Sequence, residues 1–231
     1  SVHRLWAGRV ADADAEATAA LELADRHSWR GTPRTSVALV VKGTVALLLG
    51  DAVAADGAIA AARRSVARSV ERPVRAHASL NAARLLRVQG RPDEALRAID
   101  EVRADIGDSP FWEPVAVSVA VQTGLALDEL GRRDEALALL DDAIEAARGP
   151  AGPAYAARAQ VRIRAGEPLL ALADLEAGEA QMEGPMAVIV AGACRLMRAV
   201  LEHQRGNDAA ASTALRSTMW SRPARWAPAA P

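Results

Sequence analysis

Residues 90–100 read GRPDEALRAID, and residues 131–141, which begin 41 positions later, read GRRDEALALLD. Self-similarity at such a spacing is typical of repeat proteins, in which each copy is one supersecondary unit stacked against the next. The chain has 231 residues, of which 51% are apolar, with a single Phe and a single Tyr. Most of the apolar residues are Ala, Leu and Val, and since Ala and Leu favour helices, the composition predicts helical repeats.

The first glycine of each quoted stretch is one of six anchor glycines, which recur at intervals of 42, 40, 41, 35 and 40 residues. An alanine stands five residues after every anchor, Gly or Ala stands seven residues before the last five anchors, and an apolar residue stands nine residues after each. A glycine that ends one helix, with small residues where two helices cross, predicts a helical hairpin in each repeat. The anchors are Gly8, Gly50, Gly90, Gly131, Gly166 and Gly206.

A single hairpin cannot bury both of its faces, so hairpins of this kind stack with contacts between neighbours only. We therefore predict an all-α domain over residues 1–218. Residues 219–231 contain three prolines and two tryptophans and are predicted to form a separate C-terminal tail, because closely spaced prolines break a helix.

The sequence pattern resembles the tetratricopeptide repeat (TPR): a small residue stands seven positions before a glycine, an alanine stands five positions after that glycine, and an apolar residue follows. The stretches GRPDEAL and GRRDEAL are close to its turn and second helix. The resemblance covers roughly residues 5–215 and implies a right-handed superhelix (α-solenoid) of about six TPR-like hairpins. It also implies that the first helices of the hairpins, the leading helices, line the concave face.

Two features depart from the standard TPR. The period is near 40 residues instead of 34, and the large aromatic residue near the start of the first helix is replaced by Leu39, Ser79, Ala120, Tyr155 or Arg195. Longer, aromatic-poor repeats of this kind resemble the helical sensor domain of MalT-like regulators, the large ATP-binding members of the LuxR family of transcription factors. That resemblance implies a nucleotide-binding module before Ser1 and a DNA-binding helix-turn-helix after Pro231.

Groups suited to catalysis or to cofactor binding are scarce. No G-x-x-x-x-G-K-[ST] loop is present, the four histidines are scattered, and the only cysteine, Cys194, lies in an apolar stretch where a buried structural thiol is expected. The acidic pairs Asp93/Glu94 and Asp134/Glu135 recur at one repeat position and are expected at helix N-termini, where they favour the dipole and supply caps. We predict no catalytic residue, no metal site, no cofactor and no enzymatic activity.

Charge and hydropathy exclude other classes. The formal net charge of −1 favours neither nucleic acid nor an anionic membrane as a direct partner, and no apolar run is long enough to span a bilayer. Without a secretion signal at the first residue, the predicted location is the cytoplasm.

A run of arginines is expected to form a solvated face, the alternative being contact with a phosphate or an acidic neighbour. It comprises Arg63, Arg64, Arg68, Arg72 and Arg75.

By resemblance to the TPR, ligand-facing positions fall about 13, 10, 6, 3 and 2 residues before each anchor. The polar residues at these positions form the predicted groove site: His77, Arg84, Arg87, Ser118, Asp128, Glu129, Gln160, Arg164, His203 and Gln204. The first set is basic and the next is acidic. Such a groove could bind a peptide terminus, an acidic small molecule or another domain of its own chain, or its charges could merely solvate the concave face.

Three functional hypotheses follow. The first is a non-enzymatic sensor or interaction domain of a LuxR-type regulator, with a protein, a peptide or a small-molecule effector in the concave groove. The second is a free-standing TPR adaptor that scaffolds a protein complex. The third, an enzyme built on the array, requires a constellation that the sequence lacks. Apolar end faces of the array also predict a homodimer through its ends.

Overall fold

The computed structural model describes residues 4–5, 8–29, 31–109, 112–181 and 187–219. The predicted tail, apart from its first residue, lies outside these residues. Within them lie eleven α-helices and no strand. The helices are α1 (Val10–Arg26), α2 (Pro33–Leu48), α3 (Ala52–Val66), α4 (Arg72–Val88), α5 (Pro92–Ile106), α6 (Trp112–Glu129), α7 (Arg133–Ala146), α8 (Gly152–Ala165), α9 (Pro168–Ala180), α10 (Ala187–Gln204) and α11 (Asp208–Met219).

Five complete helical hairpins make up most of the molecule, and each is built around one anchor glycine. They are the pairs α2/α3, α4/α5, α6/α7, α8/α9 and α10/α11, and the two helices of each pair are packed against each other. Helix α1 follows Gly8 as the trailing helix, the second helix of its hairpin, and Arg4 and Leu5 before that glycine are also helical. The predicted all-α array of hairpins is therefore confirmed.

Every anchor glycine has a left-handed backbone, with φ between 72° and 78°. At Gly131, the glycine N–H donates to the Asp128 carbonyl at 3.0 Å and the following N–H of Arg132 donates to the Leu127 carbonyl at 2.9 Å. The same two bonds recur at the other five anchors and define a Schellman motif, which satisfies the last carbonyls of the leading helix. The turn is thus set by one residue that needs positive φ, for which glycine carries no steric penalty.

Small residues let the two helices of a hairpin approach closely. A Cβ built on Gly43 of α2 would lie 2.5 Å from Ile59 Cγ1 of α3, and one on Gly124 of α6 would lie 2.9 Å from Leu140 Cγ of α7. The residue nine positions after an anchor therefore occupies the space that the small residue seven positions before it leaves open. All six alanines five positions after an anchor are buried as well.

The aliphatic residue nine positions after an anchor also contacts the next hairpin. Ile59 clusters with Ala82 and Leu85 of α4, and Leu140 clusters with Ala157 and Val161 of α8. Its last equivalent, Leu215 of α11, is 44% exposed, because no further leading helix in the described part of the chain covers it. The core is therefore continuous along the stack and is built from neighbour contacts only.

The leading helices of successive hairpins contact one another, from α2 to α4, α6, α8 and α10. No such contact joins two trailing helices within the described ranges. The leading helices consequently line the inner face of the curve. Over the same ranges, none of the helices combines the length and the apolar character needed to cross a bilayer.

Substitution of Gly43 by alanine tests the close approach. The added methyl group meets the fully buried Ile59, and we expect overpacking of about 1–3 kcal/mol to outweigh a helix-propensity gain of about 1 kcal/mol. The matched control is Gly57→Ala in α3, where a Cβ meets nothing within 4 Å, so alanine is expected to stabilise by about 0.5–1 kcal/mol. Urea denaturation should give changes of opposite sign, and stabilisation by both substitutions would contradict the packing argument.

Candidate functional site

The ten predicted groove residues all lie on leading helices. His77, Arg84 and Arg87 are on α4 and half-buried, and the α6 residues Ser118 and Glu129 are half-buried beside the buried Asp128. Gln160 of α8 is half-buried, whereas Arg164 and the two α10 residues are exposed. Four of the ten residues form ion pairs with one another, and the other six do not take part in these pairs.

A chain of ion pairs joins three leading helices. Arg87 of α4 pairs with Glu129 of α6 at 2.5 Å, and Arg164 of α8 pairs with Asp128 of α6 at 2.7 Å. Arg164 also lies 3.7 Å from Glu129. Arg133, at the start of α7, gives Asp128 a second partner at 3.1 Å.

Burial makes this chain of ion pairs a structural brace. The Asp128 side chain is 1% exposed, and a carboxylate removed from water requires partners of opposite charge. Arg87 is also within 3.5 Å of the Gln122 amide oxygen, which lies deeper on α6. The predicted residues Arg87, Asp128, Glu129 and Arg164 therefore bind one another and hold adjacent hairpins together.

Arg84 differs from the other arginines of the predicted groove because its side chain forms no hydrogen bond or ion pair with any described residue. Burial and, to a lesser extent, the charge of Arg87 lower the pKa of its guanidinium. Burial and then Arg84 lower the pKa of the His77 imidazole. Arg84 is the one arginine among the predicted groove residues that lacks an anionic partner within the described chain.

Exposed aliphatic side chains occupy other positions of the same groove register. Val88 lies two residues before an anchor, and Leu196 and Val200 of α10 lie ten and six residues before another. Val37 and Leu48 of α2 occupy equivalent positions. The predicted site omitted these five residues because it took only polar ones, although the anchor spacing locates them equally well.

The remaining predicted residues form no shared centre. His203 is exposed and its Nδ1 lies 2.7 Å from Asp208 Oδ1 at the start of α11. The side chains of Ser118, Gln160 and Gln204 form no hydrogen bond with described residues. Their polar groups are free to bind a partner, and nothing in their placement aligns them for proton transfer.

Other potentially reactive or metal-binding side chains have structural roles. Cys194 is fully buried, and burial raises the pKa of its thiol to about 11, which keeps it protonated and unreactive at neutral pH. Glu94 and Glu135 lie in the first turns of α5 and α7, but their carboxylates form ion pairs with the preceding arginines, Arg91 and Arg132, in place of the predicted helix caps. Across the described ranges, no three His, Cys, Asp or Glu residues come together as a metal site would require.

Of three comparisons with known proteins, the comparison with solved structures supports the fold. No family model matches the chain, and no curated protein matches it. Among solved structures, the crystal structure of PilW, a widely conserved type IV pilus biogenesis factor, matches with a TM-score of 0.57 at 18% identity, over 95% of this chain and 93% of PilW. At this identity the likeness shows the fold alone, so the chain has a TPR-like helical repeat architecture.

Removal of the Asp128 carboxylate tests the brace. We expect Asp128→Ala to lower the free energy of unfolding by about 1–3 kcal/mol, since two charge-assisted hydrogen bonds are lost although both arginines can reach water. Asp142→Ala, at an exposed position of α7, should change it by less than about 0.5 kcal/mol. Equal stability of the two variants in urea denaturation would show that the pairs do not brace the array.

Proposed function

We propose that this chain is a non-enzymatic protein-interaction scaffold that binds a segment of a partner protein in its concave groove. The observation that supports this most directly is Arg84, a half-buried guanidinium that has no anionic partner among the described residues and lies on the face lined by leading helices. A charge held partly out of water without a counter-ion is unfavourable, and a carboxylate brought by a partner would compensate it.

The surroundings of Arg84 define the chemistry of the partner segment. Val88, one helical turn further along α4, is 58% exposed, and Leu196 and Val200 expose apolar surface at the other end of the groove. A segment that carries an acidic side chain and flanking aliphatic residues fits Arg84 and these exposed aliphatic side chains.

The fold supports a scaffold more than any other function. Stacked hairpins present a long concave surface and concentrate few reactive groups at one point, which suits recognition of an extended segment. PilW, which shares the fold, is a biogenesis factor, and a role in assembling other proteins is compatible with this proposal. At 18% identity the partner of PilW is not transferred to this chain.

Matched peptides test the proposal. Short fluorescent peptides with one Glu between Leu and Val residues should bind more tightly than the same peptides with Gln in place of Glu. Arg84→Gln should weaken binding of the Glu peptides by about tenfold or more, the usual effect of losing a charged hydrogen-bond partner, and should abolish the preference for Glu. Fluorescence anisotropy measures both effects.

The control for this experiment is Arg97→Gln on trailing helix α5. Arg97 is exposed and lies on a helix that does not line the groove, so affinity should be unchanged. Circular dichroism should show both variants folded, because removal of an unpaired half-buried charge does not destabilise the array. Equal binding of Glu and Gln peptides, or loss of affinity in Arg97→Gln, would contradict a groove site at Arg84.

We propose the LuxR-type regulator as the second and less favoured function. Its support is the repeat itself, with anchor intervals of 35 to 42 residues and one aromatic residue, Tyr155, at the usual aromatic position. A phosphate-binding loop encoded upstream and a helix-turn-helix encoded downstream in one reading frame would favour this function and a cytoplasmic location. The absence of either module would favour the free-standing scaffold.

We also propose that two copies of this chain pair through the ends of the array. The exposed Leu215 at the last described hairpin is the supporting observation, because its equivalents are covered by a following hairpin. Light scattering should then give a mass that rises with concentration, whereas a constant monomer mass would count against pairing.

A further inference from the structure

A crevice of about 650 Å³ lies on the outer side of the array, between trailing helices α3 and α5, with α4 as its floor. Its apolar lining comes from small residues, chiefly Ala60, Ala67 and Ala104. Helical periodicity places its two α4 residues, Arg75 and Ser79, on the side of α4 opposite Arg84. The crevice is therefore separate from the concave groove, and its volume is typical of a small-molecule site.

A small residue, Ser79, lines the crevice at a position where the standard TPR carries a large one. Ser79 stands eleven residues before its anchor, the position at which a standard TPR carries a large aromatic side chain. In the α8/α9 hairpin that position is Tyr155, which packs on Gly178 of α9 and lies with its ring centroid 5.2 Å from the Arg158 guanidinium carbon. This chain thus shows at a second repeat that an aromatic ring beside an arginine fits the position.

Polar groups in the crevice carry an excess of positive charge. Arg63 Nη2 donates to both Glu101 oxygens at 2.8 and 2.7 Å, and Ser79 donates to the same carboxylate at 2.8 Å. Arg75 donates to Asp105. Three arginines therefore face two carboxylates, since Arg64 on the rim is the third and has no ion-pair partner among the described residues.

Nitrogen donors remain free where an anion could bind. Arg63 uses only Nη2, so its Nη1 and Nε are unpaired within the described part of the chain, and all the donors of Arg64 are available. The two side chains are adjacent in the last turn of α3. Each guanidinium offers the planar donor pattern that carboxylate and phosphate oxygens accept.

We propose that this crevice binds a small aromatic anion, with its ring in the alanine-lined slot over Ser79 and its carboxylate or phosphate on Arg64 and the free nitrogens of Arg63. The ring replaces the aromatic side chain that this repeat lacks and bridges α3 to α5, so the ligand stabilises the packing of two hairpins. This site is independent of the groove and takes a ligand of a different class.

Isothermal titration calorimetry with benzoate, phenyl phosphate and neutral benzamide tests the proposal on the whole chain. At least one of the two anions should bind, and benzamide should bind about tenfold more weakly or not at all, because it lacks the charge that the arginines recognise. Comparison of benzoate with phenyl phosphate separates a carboxylate site from a phosphate site. Failure of both anions to bind at millimolar concentration overturns the proposal.

Four variants locate the site. Ser79→Tyr fills the crevice with the residue that the α8/α9 hairpin already carries, and Ala104→Leu fills it from the exposed rim of α5 without touching the Ser79 hydrogen bond. Both should abolish anion binding, and Arg64→Gln should weaken it by about tenfold. The matched control, Arg68→Gln, changes an exposed arginine outside the crevice and should have no effect.

The groove provides the last control. Arg84→Gln should leave the affinity for the anions unchanged, since Arg84 lies on the opposite side of α4. Anion binding that survives both filling variants, or that is lost in Arg84→Gln, overturns the crevice as the site. Peptide binding that persists in Ser79→Tyr keeps the groove proposal separate from this one.

Discussion

The contact between a small residue of each leading helix and a larger aliphatic residue of its trailing helix determines the whole array. Where Gly43 faces Ile59 and Gly124 faces Leu140, the two helices come close enough for one side chain to fill the crossing and still reach the next hairpin. The anchor glycine makes this geometry available, because its left-handed turn reverses the chain within a few residues. Hairpin formation and stacking therefore depend on the same few positions.

The same repeat spacing places charged side chains at equivalent positions of the leading helices. Positions that point to the concave face carry a basic set on α4 and an acidic set on α6, and their proximity makes Arg87, Glu129, Asp128 and Arg164 pair across helix boundaries. The pairs stabilise the stack and simultaneously remove four charges from those available to a ligand. The predicted groove residues are therefore partly bound to one another, and Arg84 lies outside this chain of ion pairs.

Repeats that carry different residues at equivalent positions present surface features that a uniform array would lack. Ser79 and Tyr155 occupy equivalent positions, yet Ser79 lines a crevice whereas the Tyr155 ring lies beside Arg158. Because each hairpin contacts only its neighbours, a change of this kind alters one interface and leaves the rest of the stack intact. The two sides of a single helix such as α4 therefore present different surfaces.

The sequence by itself determined the hairpins, their boundaries and the buried small positions, because these depend on local periodicity and on glycines that need positive φ. The resemblance to the TPR supplied the groove positions, which predict Arg84 and Val88 equally. Only the tertiary structure decided which charges pair, since the partners Arg87 and Glu129 are 42 residues apart and on different helices. It likewise decided that Arg63 pairs with Glu101 whereas the adjacent Arg64 has no partner in the described chain, because side chains separated in sequence meet only once the hairpins are stacked.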